Sequence, residues 1–204
     1  MRRQSYHHGD LPAALLRAGA ELVEVEGADR LSLRSVARAA GVSANAPYRH
    51  FADKDDLLAA LAEHGCADMV DRIAVANGQT ARDRLVAVVQ LGVQFALERP
   101  QMFRLMSGSV CSTRPSVRTA MDAVQAAIVR AVGLDASCDI EEATALCTGI
   151  WALTHGLSSL IVAGHVHPGS GEGIDAYVAR VVRATVEAAK FMVIEGLPPT
   201  NTAQ

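Results

Sequence analysis

Residues 32–54, SLRSVARAAGVSANAPYRHFADK, place a helix, a glycine turn, a second short helix and the start of another within one stretch. Ser32 stands where it can cap a helix whose buried face is Leu33, Val36, Ala37 and Ala40. Ala39-Ala40-Gly41-Val42-Ser43 then supplies small residues for close helix contact, a glycine for positive φ, an apolar plug and a cap for the next helix. Two helices that cross steeply need such a turn, and the second of the pair can enter a DNA major groove by its N-terminus. On that geometry Ala44, Asn45 and Ala46 face base edges, Tyr48 and His50 follow, and Phe51 anchors the unit. Lys54 begins the next helix, where backbone N–H groups and the helix dipole favour a phosphate. Arg34, in the first turn of the preceding helix, can reach guanine or a phosphate. A plain three-helix packing unit would also use a glycine turn. The capping serines and the Tyr48-x-His50-Phe51-x-x-Lys54 run favour DNA binding over that reading.

The 3.6-residue period of apolar side chains continues on both sides, and no alternating strand pattern interrupts it. Upstream, Asp10 and Pro12 predict a helix start, Leu11, Leu15, Ala18, Leu22 and Val25 its stripe, and Gly27 its stop. Downstream, Asp53 caps a helix with Asp55 and Asp56 at its positive end. Further helices are predicted over Ala81–Glu98, from Pro100 through Met106, over Val117–Val132, over Ile140–Ala163 and over Gly173–Glu195. The segment His165–Gly173 is rich in glycine and proline and reads as a flexible loop, and the tail beyond Gly196 as disordered.

The formal net charge of the 204 residues is −3, so affinity for DNA must come from local placement of cations, with Arg2 and Arg3 of an N-terminal arm as a second source. Cys66, Cys111, Cys138 and Cys147 form no CxxC pair and read as reduced thiols of a cytoplasmic protein. The most apolar run, Ile150–Ala163, is too short for a membrane span and carries Thr154, His155, Ser158 and Ser159. No metal site is expected: His7-His8 point apart in any regular structure, and His165-x-His167 lacks a third ligand. An enzyme reading finds no glycine-rich phosphate loop, no Gly-x-Ser-x-Gly and no paired acidic cluster, and no cofactor is expected.

Residues 10–64, through the run LSLRSVARAAGVSANAPYRHFADKDDLLAAL, resemble the DNA-binding domain of TetR-family transcriptional regulators. The resemblance implies an all-α homodimer, with an N-terminal three-helix domain bearing the helix-turn-helix and a larger helical ligand-binding and dimerisation domain. It implies a repressor on a palindromic operator, released by a small-molecule effector. A ligand-independent DNA-binding regulator is the alternative, and an enzyme containing helix-turn-helix geometry a more distant one. Carried over by position, Arg34, Ala44, Asn45, Ala46 and Tyr48 face bases, and Ser43, His50 and Lys54 contact phosphates. The family often has glycine where Asn45 stands and leucine where Pro47 stands, and Pro47 removes a donor and crowds the turn before it. The helix presenting these residues is therefore expected to start later, or to lie at another angle, than usual.

Trp151-x-x-x-His155-Gly156 resembles the Trp-His-Gly type of C-terminal domain in these regulators. Around it Ala145, Gly149, Ala152, Gly156 and Ala163 form a row of small residues that lets another helix approach. The resemblance implies dimerisation through the last two long helices. Met102, Phe103, Met106, Met121 and Trp151, with Thr148 and His155 as polar handles, are candidates to line an effector pocket; packing in the core is their other reading. The organisation expected is an arm (1–9), a DNA-binding domain (10–64), a ligand-binding and dimerisation domain (65–196) and a tail (197–204).

Overall fold

A computed structural model describes residues 11–108, 113–133 and 140–194; the N-terminal arm, Asp10, Cys111, Cys138 and the tail lie outside that range. The described residues are all-helical: α1 (Leu11–Glu26), α2 (Leu33–Ala39), a 3-10 turn (Pro47–Arg49), α3 (Lys54–Ala74), α4 (Ala81–Glu98), α5 (Pro100–Met106), α6 (Pro115–Val132), α7 (Ile140–Val162) and α8 (Ile174–Ile194). The chain divides into two units. One holds the residues up to Arg72 together with Phe95–Ala126, and the other Ile73–Gln94 together with the residues from Ala127 onward.

In the first unit α1 buries Leu15, Ala18, Gly19 and Val23, the 3–4 spacing of an amphipathic helix, and touches α2 and α5. The contact with α5 is polar as well as apolar. Pro100 opens α5 and needs no donor, and the next two orphan N–H groups, of Gln101 and Met102, donate to the Glu24 carboxylate at 3.2 and 2.9 Å. Thus α1 supplies the cap that α5 lacks in its own sequence. Farther along, Arg72 lies 5.3 Å from the centre of the buried Phe95 ring and pairs with Asp68 and Glu98. Cys66 of α3 meets Met121 of α6 at 3.4 Å.

The second unit is built on close approach. A Cβ on Gly92 of α4 would stand 2.4 Å from Thr154 Cγ2 of α7, so any larger residue would have to push that side chain or helix aside. Val88, Val89 and Val93 of α4, Ile150 and Leu157 of α7, and Val178 and Val182 of α8 are buried in this unit. Full burial of such side chains contributes about 1.5–3 kcal/mol each. The start of α8 is tied to α4: the side-chain amides of Gln90 and Gln94 donate to the carbonyl and carboxylate of Asp175, each at 2.8 Å.

The loop between α7 and α8, predicted flexible, is pinned at one point. The Glu172 carboxylate accepts from Arg180 Nε and Nη2 (3.0 and 2.8 Å) and from the Gly169 N–H (3.1 Å). Hydrogen bonding from Arg180, then from Gly169, lowers the pKa of Glu172 to about 2. The apolar run read from Ile150 also extends further back. Ala143–Val162 has the length and hydropathy of a membrane span, with 22% of it buried. Its inner residues Cys147, Ile150 and Leu157 are core, so one side of this helix packs against the rest of the unit.

Candidate nucleic-acid interface

The cap of α2 forms as its sequence predicts. Ser32 is extended (φ −144°, ψ 153°), its hydroxyl accepts from the Ser35 N–H at 3.0 Å, and Ser35 Oγ accepts from the Ser32 N–H at 3.0 Å. The helix then ends in a Schellman motif. Val42 N–H donates to Ala37 O (3.0 Å) and Gly41 N–H to Arg38 O (3.2 Å), with Gly41 at φ 68°. This left-handed residue turns the chain sharply after Ala40, and Leu33, Val36 and Ala37 beneath it are buried.

Beyond this turn the chain departs from the helix expected after Ser43. Residues 43–46 are a turn and Pro47–Arg49 a single 3-10 turn, with Ala46 N–H donating to Ser43 O (2.9 Å) and His50 N–H to Pro47 O (2.9 Å). Ser43 therefore makes no side-chain cap on a regular helix; its backbone carbonyl is what the turn uses. The reason lies in Pro47. An α-helix begun at Ser43 would need the N–H of residue 47 to donate back to it, and proline has none. The Pro47 ring is buried instead, and so is Phe51, which is 7% exposed.

This packing leaves the candidate contact residues outside. Arg34, Ser43, Ala44, Asn45, Tyr48 and His50 are exposed, and Ala46 is half-buried. Lys54 opens α3, but its Nζ donates to the Asp29 carbonyl at 2.6 Å, which fixes the ammonium beside the loop between α1 and α2. Two further arginines, beyond the contacts expected from the motif, are exposed here. Arg38 lies four residues after Arg34 on α2, a spacing that gives them one face, and Arg49 stands on the 3-10 turn. Between Ser32 and Lys54 four cations face a single carboxylate, Asp53, in a chain whose net charge is −3. That is the local charge reversal a phosphate backbone requires.

The candidate effector residues fall into both units. Met102, Phe103, Met106 and Met121 belong to the first, and Thr148, Trp151 and His155 to the second. Met102 forms part of a cleft of about 320 Å³ that His64, Asp68, Asp71, Phe95 and Arg99 also line. Trp151 and His155 share a helix face, with ring centres 5.7 Å apart, as their spacing predicts. Trp151 is nonetheless 51% exposed, and Thr148 is exposed with its hydroxyl donating to the Thr144 carbonyl. Among the described residues no group of three metal-ligating side chains comes together.

Comparison with known proteins agrees with this geometry. Residues 15–61 match the bacterial regulatory proteins of the tetR family, and residues 85–201 match the tetracyclin repressor-like C-terminal domain, a stretch that includes Trp151, His155 and Gly156. A solved structure of a protein of unknown function from Rhodococcus sp. RHA1 is 30% identical, with a TM-score of 0.74 over 91% of this chain and 98% of that one. A TetR transcriptional regulator from the same organism shares the fold at 22% identity, with a TM-score of 0.61 over 88% and 98% of the two chains. An HTH-type transcriptional regulator of Mycobacterium tuberculosis is 28% identical over 103 residues, 48% of this chain and 44% of that protein. The nucleoid occlusion factor SlmA of Vibrio vulnificus is 35% identical over 98 residues, 46% of this chain and 50% of that protein. The chain thus spans about half the length of the curated relatives it matches. An exposed basic helix-turn-helix and two family matches along most of the sequence lead to one conclusion: the chain belongs to the tetR family of bacterial regulatory proteins.

Proposed function

We propose that the protein is a cytoplasmic repressor that holds a palindromic operator as a homodimer and is released from it by a small-molecule effector. The observation that carries the homodimer is the outer face of α7. Leu146, Trp151, Leu160 and Val162 are exposed there, between 37% and 51%, among the exposed small residues Ala145, Gly149, Ala152, Gly156 and Ala163. At Gly149 and Gly156 nothing beyond the helix's own adjacent backbone lies within 4 Å of where a Cβ would stand. A contiguous apolar face of this kind is rare on a monomer and suits close approach by another helix. A second copy of α7 and α8 is the occupant that the family's usual dimers favour. Two readers related by a two-fold axis would then meet half-sites about one helical turn apart.

Within each copy, residues 10–64 would serve as the reader and residues 65–196 as the ligand-binding and dimerisation domain. Arg34, Ala44, Asn45, Ala46 and Tyr48 would face bases, with Ser43, His50 and Lys54 on phosphates. Met102, Phe103, Met106 and Met121 of the first unit, and Thr148, Trp151 and His155 of the second, remain the effector candidates, each set within its own unit, with no catalytic step and no cofactor. A regulator that ignores small molecules is the second reading, and the exposure of Thr148 and Trp151, two of the effector candidates, favours it. Selection of bound DNA from a random pool, followed by release assays with a panel of apolar and amphipathic compounds, separates the two. The proposed function predicts a palindrome and at least one compound that frees it. Retention against every compound leaves the second reading, and full operator affinity from a monomer overturns the dimer.

A further inference from the structure

Two carboxylates close the reader onto α3. Asp53 Oδ1 accepts the N–H of Asp56 at 2.8 Å and caps the helix. Asp56 Oδ2 reaches back to the N–H of Ala52 at 3.1 Å, directly after the buried anchor Phe51. The turn that delivers the reader to α3 thus hangs on two side chains of the same sign, and Asp55 adds a third negative charge next to Lys54. Their counter-charge comes from far along the chain. Arg114 Nη1 lies 2.6 Å from Asp56 Oδ1, and Nη2 lies 3.9 Å from Asp53 Oδ1. Arg114 immediately precedes α6, which meets α3 again at the Met121–Cys66 contact, so packing fixes where the guanidinium stands along α3. The Arg114 and Asp56 side chains are half-buried, where an ion pair is screened less than on open surface.

We propose that Arg114 is a positioning residue for DNA reading. It keeps Asp53 and Asp56 in their capping geometry and offsets their charge, so that Tyr48, His50 and Lys54 keep their places against DNA, while Arg114 itself touches no nucleotide. This role rests on the reading that residues 43–54 meet the operator. The test uses the full chain with Arg114→Ala, Asp56→Asn and both together, on operator DNA recovered by selection. Arg114→Ala raises the operator Kd about 10-fold, within the range of coupling between contacting charged residues, and leaves the slope of log Kd against log salt unchanged. In the Asp56→Asn background the same substitution adds little, and Arg114→Lys recovers part of the affinity. Independently of DNA, Arg114→Ala speeds amide exchange at Ala52 while cooperative thermal unfolding and the dimer persist.

An undiminished effect in the Asp56→Asn background, with a salt slope lower by about one charge, would make Arg114 a phosphate contact and overturn the proposal. Unchanged Kd, or unchanged exchange at Ala52, overturns it too. If the wild-type chain retains no DNA at all, the DNA reading of residues 43–54 fails, and exchange at Ala52 still decides whether Arg114 holds the turn.

Discussion

Between Gly41 and Lys54 the backbone passes from a Schellman turn through a 3-10 turn to a capped helix start, while α7 repeats one hydrogen-bond pattern over 23 residues. The irregular segment is held by single devices: one left-handed glycine, one buried proline, one aromatic anchor, two capping carboxylates. The regular helix is held by many similar contacts and presents its outer face through side-chain size alone. The loss of one device in the first region should therefore act directly on DNA reading. A change on the outer face of the second should leave the subunit folded and act on assembly.

Phe51→Ala tests that contrast most severely. Removing a 7%-exposed aromatic side chain costs about 3–5 kcal/mol, and because the anchor closes the reader, operator binding is lost as well. Denaturant unfolding and a DNA mobility shift read both effects; a stable variant that still binds would show that the reader is held by something other than its plug. Leu160→Glu is the matching change on α7. It weakens the proposed dimer by about 2 kcal/mol or more, the effect expected of a central interface residue, and alters subunit stability by only about 0.5 kcal/mol. Sedimentation at graded concentrations checks it, and an unchanged dimer removes α7 from the interface.

Within the reader, Ser32→Ala removes half of the reciprocal cap on α2 and costs about 1 kcal/mol, measured by thermal unfolding. A cost near zero would mean that the Schellman turn and the buried face of α2 are sufficient. The smallest effect belongs to the α7–α8 loop. Glu172 titrates at about 2 instead of 4.5, so its hold on Gly169 and Arg180 is complete above the ordinary carboxylate range and is lost as pH falls through about 2. Arg180→Ala should bring the titration back toward 4.5, followed by carboxyl carbon NMR; an ordinary midpoint in the wild type would break the pinned-loop description.

The helix borders were legible because the sequence marks them locally, with Ser32 at a cap, Pro100 at a start and Gly41 past an end. Pro47 was legible as a departure, but not its result. Whether the ring is buried, leaving a 3-10 turn, depends on neighbours from other helices. Ties across the sequence left no local signal: Glu24 capping α5 and Arg114 gripping the α3 cap join residues far apart in the chain. Spacing put Trp151 and His155 on one face, yet a period says nothing of which way a face points, and half of Trp151 proved exposed. Arg38 could have been found, since it repeats Arg34 one turn later on α2.

The buried ring of Pro47 also limits how much text one subunit can read. A helix several turns long offers successive rows of side chains along the groove, whereas a three-residue turn offers one row and its flanks. Such a reader addresses only a few base pairs, while a genome presents roughly 10⁶–10⁹ competing positions. On this count a single copy is ambiguous as an address, and the second row that the proposed homodimer would add by symmetry would narrow it.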